Sequence, residues 1–170
     1  MSDLPETERN RLRNEIRRLR LAASDMEQVA IAAQTLAAVR LNEAAERVMH
    51  TGIVVTYLRP FYNAGIGALD VDEWAPTDPD AARLHNALLK LRNTVYGHTD
   101  KSPWRDVEDT SELLGLAGGP TFAESSVSLS TDGIAQIGAT AERLARTFSA
   151  AADEREFELG RQRPDPSSEP

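Results

Sequence analysis

Cysteine is absent from the 170-residue chain, and this absence excludes several kinds of chemistry at once. Without thiols the protein forms no disulfide bond, no thiolate zinc site and no cysteine nucleophile. A chain without cysteine is compatible with a reducing compartment. We therefore expect a cytoplasmic protein, whose chemistry would come from other side chains.

Long apolar runs and histidines are also scarce. The apolar runs, such as Gly52 to Val55, are far shorter than the roughly 20 residues of a transmembrane helix. Residues 1–20 are dominated by charge, unlike the apolar core of a signal peptide. The three histidines, His50, His85 and His98, lack the spacing of metal ligands. We therefore predict no membrane partner, no metal and no cofactor.

Negative charge is in excess, but only in the second part of the chain. Residues 1–70 carry equal numbers of basic and acidic side chains, so residues 71–170 account for the whole net charge of −8. The one basic patch consists of six arginines within residues 5–22. An acidic chain is a poor general binder of nucleic acid, so any RNA contact must be local. The arginines can equally form a solvated helix face paired with nearby glutamates.

Helical periodicity dominates the first half of the chain. Apolar residues recur at alternating spacings of three and four, which predicts one long helix over about residues 4–39, or two helices broken near Ser24 and Asp25. These apolar residues form one stripe along the helix, the seam, which is long enough for a dimer interface as well as for an intramolecular core. A second helix is predicted over residues 42–63, with Val48, Val55 and Tyr57 widening its buried face. Pro60, near its end, should bend or stop this helix.

A third helix begins with Asp78 as its cap and should end at or just past Tyr96. A last helix begins at Thr131 or Asp132. Between these two helices, short alternations predict a small β-hairpin or an extended loop. The fold class is thus all-α: a bundle of four to five helices in one domain over residues 1–160, followed by a disordered tail over 161–170.

Catalysis-capable side chains are concentrated at the end of the third helix, at Arg92, Asn93, Tyr96, His98 and Asp100. Arginine binds phosphate through a bidentate fork, and histidine exchanges protons near neutral pH. Six residues along a helix separate two side chains by about 120°. Arg92 and His98 can therefore act together only if the helix breaks, as Gly97 allows, or if a second subunit contributes.

The chemistry of this cluster suits RNA cleavage by the 2′-hydroxyl group without a metal. His98 would act as general base or acid, Arg92 would stabilise charge on the phosphate, and Asn93 would orient the histidine or donate to the phosphate. Tyr96 could stack on a base. We count Tyr96, Asp100 and His85, which shares the flank of Arg92, as candidate substrate contacts.

A purely structural interpretation stays open. Arg92 could pair with an acidic residue at the edge of the bundle, His98 could donate to a backbone carbonyl, and Asp100 could cap the next turn. His85 could simply be a polar residue beside the apolar stripe of its helix, and His50 a structural or exposed residue.

The stretch from Leu91 to Asp100, which reads LRNTVYGHTD, resembles the signature of the HEPN superfamily. Residues 57–101 more widely resemble bacterial HEPN-like proteins. The resemblance implies an all-helical domain in which Arg92 and His98 form the catalytic pair and Asn93 is the polar residue that follows the arginine. Catalytic members are metal-independent endoribonucleases whose two motifs meet in a cleft between the subunits of a homodimer.

Many members of this superfamily serve as toxins or in defence against phage, so the resemblance implies RNA as substrate and an antitoxin or defence component as a protein partner. Other members have lost activity and act as binding or scaffolding modules. The alternative to a ribonuclease is therefore a non-catalytic helical interaction module, for instance an antitoxin-like or regulatory partner that docks through its arginine-rich first helix.

Overall fold

The computed structural model describes residues 5–62, 67–92 and 129–161, and the regular secondary structure of this part of the chain is entirely helical. Five α-helices and one 3-10 turn follow in chain order: α1 (Glu6–Ala38), α2 (Glu43–Leu58), the 3-10 turn (Arg59–Phe61), α3 (Val71–Trp74), α4 (Pro79–Leu91) and α5 (Thr131–Arg161). The described residues contain no strand. The predicted all-α bundle is confirmed. The predicted hairpin or extended loop falls largely on residues 101–128, which lie outside the described part, as does most of the predicted tail.

Helix α1 is a single uninterrupted helix, which decides between the two predicted alternatives. Neither glycine nor proline occurs within Glu6–Ala38, and the suspected break at Ser24 and Asp25 lies in mid-helix. Its buried face follows the predicted spacing of three and four, and Ala22 and Val29 make this face wider. The buried apolar residues are Leu12, Leu19, Ala22, Ala23, Met26, Val29, Ala30 and Ala33.

The predicted seam of α1 packs against α5 of the same chain. The side chain of Arg155 donates to Glu15 and that of Gln34 donates to Glu142, both at 2.9 Å, so the two helices run antiparallel. Small residues bring them close together. A Cβ atom added to Gly138 would lie 2.9 Å from the Cβ of Ala33. The seam therefore forms intramolecular core, and at this point α5 has room only for glycine.

Helix α2 lies against this pair and ends where proline predicts. The side chain of Asn42 caps its start, and the 3-10 turn that contains Pro60 follows its last residue. Tyr57 is fully buried, but Val48 and Val55 are 72% and 40% exposed. The prediction that these two valines widen the buried face is wrong, because packing on α1 covers only the opposite side of α2.

Helix α4 begins as the sequence predicts. The Asp78 side chain accepts hydrogen bonds from the backbone N–H groups of Asp80 and Ala81 at 3.1 and 2.9 Å. Its apolar stripe points into the core through Leu84, Leu88 and Leu91. The short helix α3, capped by the Asp70 side chain, lies in the connection between the 3-10 turn and α4. No helix in the described ranges is both long and apolar enough to cross a membrane.

Candidate functional site

Arg92 is the member of the predicted catalytic set that the structure describes, and it directly follows the last residue of α4. Its backbone N–H donates to the carbonyl oxygens of Leu88 and Leu89, so the helical path of α4 continues to this point. Its side chain is half-buried. Since Leu91 is fully buried, the packing of α4 places Arg92 where the core meets the surface.

The aromatic ring of Tyr62 holds the Arg92 side chain. The guanidinium carbon of Arg92 lies 3.6 Å from the centroid of the ring, within the range of a cation–π contact. Tyr62 is itself positioned by the 3-10 turn, because its backbone N–H donates to the carbonyl oxygen of Arg59 at 3.2 Å. The ring orients the planar guanidinium group, and such a group binds phosphate oxygens in pairs.

Tyr62 also borders a small cavity of about 140 Å³, whose charged lining residues are Arg18, Asp25 and Arg59. Nη1 of Arg59 donates to Oδ1 of Asp25 at 2.9 Å. Burial raises the pKa of the Asp25 carboxyl group, and the charge of Arg59 opposes this effect. Tyr62 is thus close to three arginines: Arg92 on its ring, and Arg18 and Arg59 in the lining of the cavity. Asp25 is the one carboxylate of this lining, so positive charge is in excess here although the protein as a whole is acidic.

His85 is a core residue rather than a surface residue of the same flank. Its ring is 1% exposed and packs edge-on against Phe61, with the two centroids 4.6 Å apart, and against Tyr57 at 5.8 Å. Neither ring nitrogen has a hydrogen-bond partner among the described residues. Burial lowers the pKa of His85 to about 4. The prediction of a substrate contact at His85 is therefore corrected, because its neutral ring is enclosed by the bundle.

His50 has a structural role, one of the two alternatives predicted for it. Its Nδ1 accepts a hydrogen bond from the backbone N–H of Leu129 at 3.3 Å, and its side chain is buried. This bond ties the chain just before α5 to the middle of α2. Burial lowers the pKa of His50, so its ring is a neutral acceptor near pH 7.

The remaining predicted site residues, Asn93, Tyr96, His98 and Asp100, lie outside the described residues, and their roles stay predictions. Sequence reasoning had no argument for Tyr62, although the stretch that carried the wider resemblance begins only five residues earlier. Across residues 5–62, 67–92 and 129–161, no cluster of three or more histidine or acidic side chains has an arrangement that could hold a metal ion.

Comparisons with known proteins return no match. No family model matches the chain, and neither the curated proteins nor the solved structures contain one that does. The HEPN assignment therefore stays a prediction, carried by the ten-residue stretch from Leu91 to Asp100 and by the all-helical frame.

Proposed function

We propose that the protein is a metal-independent endoribonuclease of the HEPN type that acts as a homodimer in a toxin or phage-defence context. The observation that carries the proposal is the place of Arg92. The motif arginine lies at the end of a core helix, half-buried and stacked on Tyr62. A guanidinium group held in this way is prepared to bind a phosphate with little further loss of side-chain entropy.

The proposed reaction needs only side chains of the motif. His98 takes the proton from the ribose 2′-hydroxyl, and the 2′-oxygen attacks the adjacent phosphorus atom. The bond from phosphorus to the 5′-oxygen breaks, and the leaving oxygen receives a proton from a protonated His98, of the same motif copy or of the second one, which leaves a 2′,3′-cyclic phosphate and a free 5′-hydroxyl group. Arg92 stabilises the negative charge that develops on the phosphate oxygens. Asn93 orients His98 or donates to the phosphate.

RNA cleavage in the presence of a chelator tests the proposal with matched arginine variants. Wild type, Arg92→Ala and His98→Ala are compared with Arg83→Ala, which removes an exposed arginine of the same helix, paired with Asp80. We expect losses of about 10²-fold or more for the two motif variants and none for Arg83→Ala. Equal residual cleavage in all four proteins would exclude the assignment.

The composite site requires two copies of the motif, so oligomeric state is a second test. Sedimentation or light scattering at micromolar concentration should report a dimer. If the protein is active as a strict monomer, the two-motif cleft is excluded.

The alternative function is a non-catalytic helical module that binds a protein partner such as an antitoxin or a defence component. The same contact favours it in one respect, because stacking of Arg92 on Tyr62 also joins the ends of α4 and the 3-10 turn. Under this alternative, Arg92→Ala lowers the free energy of unfolding and no protein cleaves RNA.

A further inference from the structure

We propose that the cavity beside Tyr62 is a binding site for a phosphate group, held by Arg18 and Arg59. The cavity measures about 140 Å³. A water molecule occupies about 30 Å³ of the liquid, so the space suits a small oxyanion together with a water molecule. Neither arginine belongs to the motif that predicted the catalytic residues.

Arg18 contributes donors that the protein leaves largely unused. Its Nε is buried and has no hydrogen-bond partner among the described residues. Its Nη1 reaches only the carbonyl oxygen of Ala68, at the limiting distance of 3.5 Å. A buried donor without a partner is rare in folded proteins and calls for an explanation. Nε is closed to solvent, so an anion in the cavity lined by Arg18 would bind the terminal nitrogens of the guanidinium group, of which Nη2 has no recorded partner among the described residues.

The chain around Gly67 is shaped to admit the Arg18 guanidinium group. Gly67 has a φ of +90°, which side chains with a Cβ rarely adopt, and an added Cβ would lie 3.2 Å from Nη1 of Arg18. Glycine at this position therefore allows the backbone and the guanidinium group to approach each other. The position of Arg18 is thus set by the loop as well as by α1.

Arg59 faces the same cavity and retains donors for a ligand. Its side chain is 51% exposed, and among the described residues its recorded partner is Asp25, which binds Nη1. Nε and Nη2 are left to donate outward. Asp25 fixes the guanidinium group but is also the one acidic residue of the lining, so it should weaken anion binding.

The charges around Arg18 favour anion binding in only one of the two pockets that this side chain borders. Arg18 also borders a larger pocket of about 490 Å³, where carboxylates outnumber arginines: Glu8, Glu15, Asp70, Glu73 and Glu158 against Arg11, Arg18 and Arg155. These carboxylates repel an anion there, so a phosphate is favoured only on the side of Arg59 and Tyr62. If the proposed function is correct, the phosphate belongs to the RNA substrate and is the neighbour of the phosphate that Arg92 binds.

Calorimetric titration of the full chain tests the site with three probes: inorganic phosphate, adenosine 5′-monophosphate and a 2′-deoxy oligonucleotide that cannot be cleaved. Arg59→Gln should weaken binding of each bound probe about tenfold or more. Asp25→Asn should strengthen binding, because it removes the opposing carboxylate and releases a donor of Arg59. Arg83→Gln, on the exposed face of α4, should change nothing.

Opposite shifts in Arg59→Gln and Asp25→Asn exclude misfolding as the cause, and unchanged binding in Arg83→Gln excludes a general effect of net charge. Weakening in both Arg59→Gln and Asp25→Asn would overturn the inference, and so would absence of binding of all three probes to the wild type at millimolar concentration. Binding of phosphate but not of the oligonucleotide would support the site and exclude RNA as its source. Loss of cleavage is not a readout here, so the inference survives if Arg92 and His98 prove non-catalytic.

Discussion

The guanidinium carbon of Arg92 lies 3.6 Å from the centroid of the Tyr62 ring, and this contact joins the ends of α4 and the 3-10 turn. The two residues are 30 positions apart in the chain. Tyr62 therefore orients the motif arginine, and the adjacent cavity extends the cationic surface to Arg18 and Arg59.

Replacing the Tyr62 ring should affect both stability and the orientation of Arg92. Tyr62→Ala is expected to lower the free energy of unfolding by about 1 kcal/mol or more, because it removes the cation–π contact and apolar packing. Tyr62→Phe keeps the ring and its cation–π contact, so it should be less destabilised than Tyr62→Ala. Urea unfolding of both variants checks this. Equal destabilisation by the two changes would show that the hydroxyl group, not the ring, matters.

The Asp25–Arg59 pair should respond asymmetrically to removal of either partner. Asp25 is 8% exposed, whereas the Arg59 side chain is 51% exposed and can be solvated. Arg59→Gln strands a buried carboxylate and should cost about 1–3 kcal/mol, while Asp25→Asn should cost less. Urea unfolding at pH 7 measures both.

Acid should partly rescue the Arg59→Gln variant. Burial already raises the folded-state pKa of Asp25, and loss of Arg59 raises it further. The folded state then binds the proton more tightly than the unfolded state, so stability increases as the pH falls through the raised pKa. An unchanged gap between wild type and variant from pH 7 to pH 4 would contradict this account.

His85 should make the fold sensitive to acid. Its folded-state pKa of about 4 lies below the ordinary value of 6.5, so the unfolded state binds more protons between these values. Stability is complete above pH 6.5 and is lost as the pH falls toward 4, by about 3 kcal/mol at most.

His85→Leu replaces the ring by an apolar side chain and should flatten this dependence, with little cost or a gain at pH 7. Denaturant midpoints between pH 7 and pH 4 provide the measurement. The pKa of His50 is also lowered, so a smaller slope should persist in the variant. If His85→Leu abolished RNA cleavage without loss of stability, His85 would take part in the reaction, and our assignment of a purely structural role would be wrong.

Two helical glycines offer a matched test of the contact between α1 and α5. Gly138→Ala brings a Cβ within 2.9 Å of the Ala33 Cβ, whereas a Cβ at Gly52 meets no atom within 4 Å. Overpacking should make Gly138→Ala less stable by up to about 2 kcal/mol after the gain in helix propensity. Gly52→Ala should gain up to about 1 kcal/mol.

Thermal unfolding of the two glycine variants gives the sign directly. When Gly138→Ala is combined with Ala33→Gly, the loss should be smaller than the sum of the two single losses, because Ala33→Gly removes the methyl group that the new Cβ meets. Stabilisation by both single substitutions would mean that the two helices separate at no cost at this point.

Much of the frame was predictable because it rests on local physics. The Asp78 cap, the stop at Pro60 and the spacing of Leu84, Leu88 and Leu91 depend on residues within one or two turns of each other. The wrong predictions concern residues whose burial depends on contacts with distant parts of the chain. Val48 and Val55 look like core residues in the sequence, but no described helix covers their side of α2.

The sequence by itself determined the all-helical frame, most helix boundaries and the cluster that begins at Arg92, because capping, periodicity and proline act over a few residues. Only the tertiary structure decided that Tyr62 stacks on Arg92, that Arg59 pairs with Asp25 and that His85 is enclosed by aromatic rings. Each of these contacts joins residues at least 24 positions apart. Their formation depends on how the helices pack, which local sequence patterns do not encode.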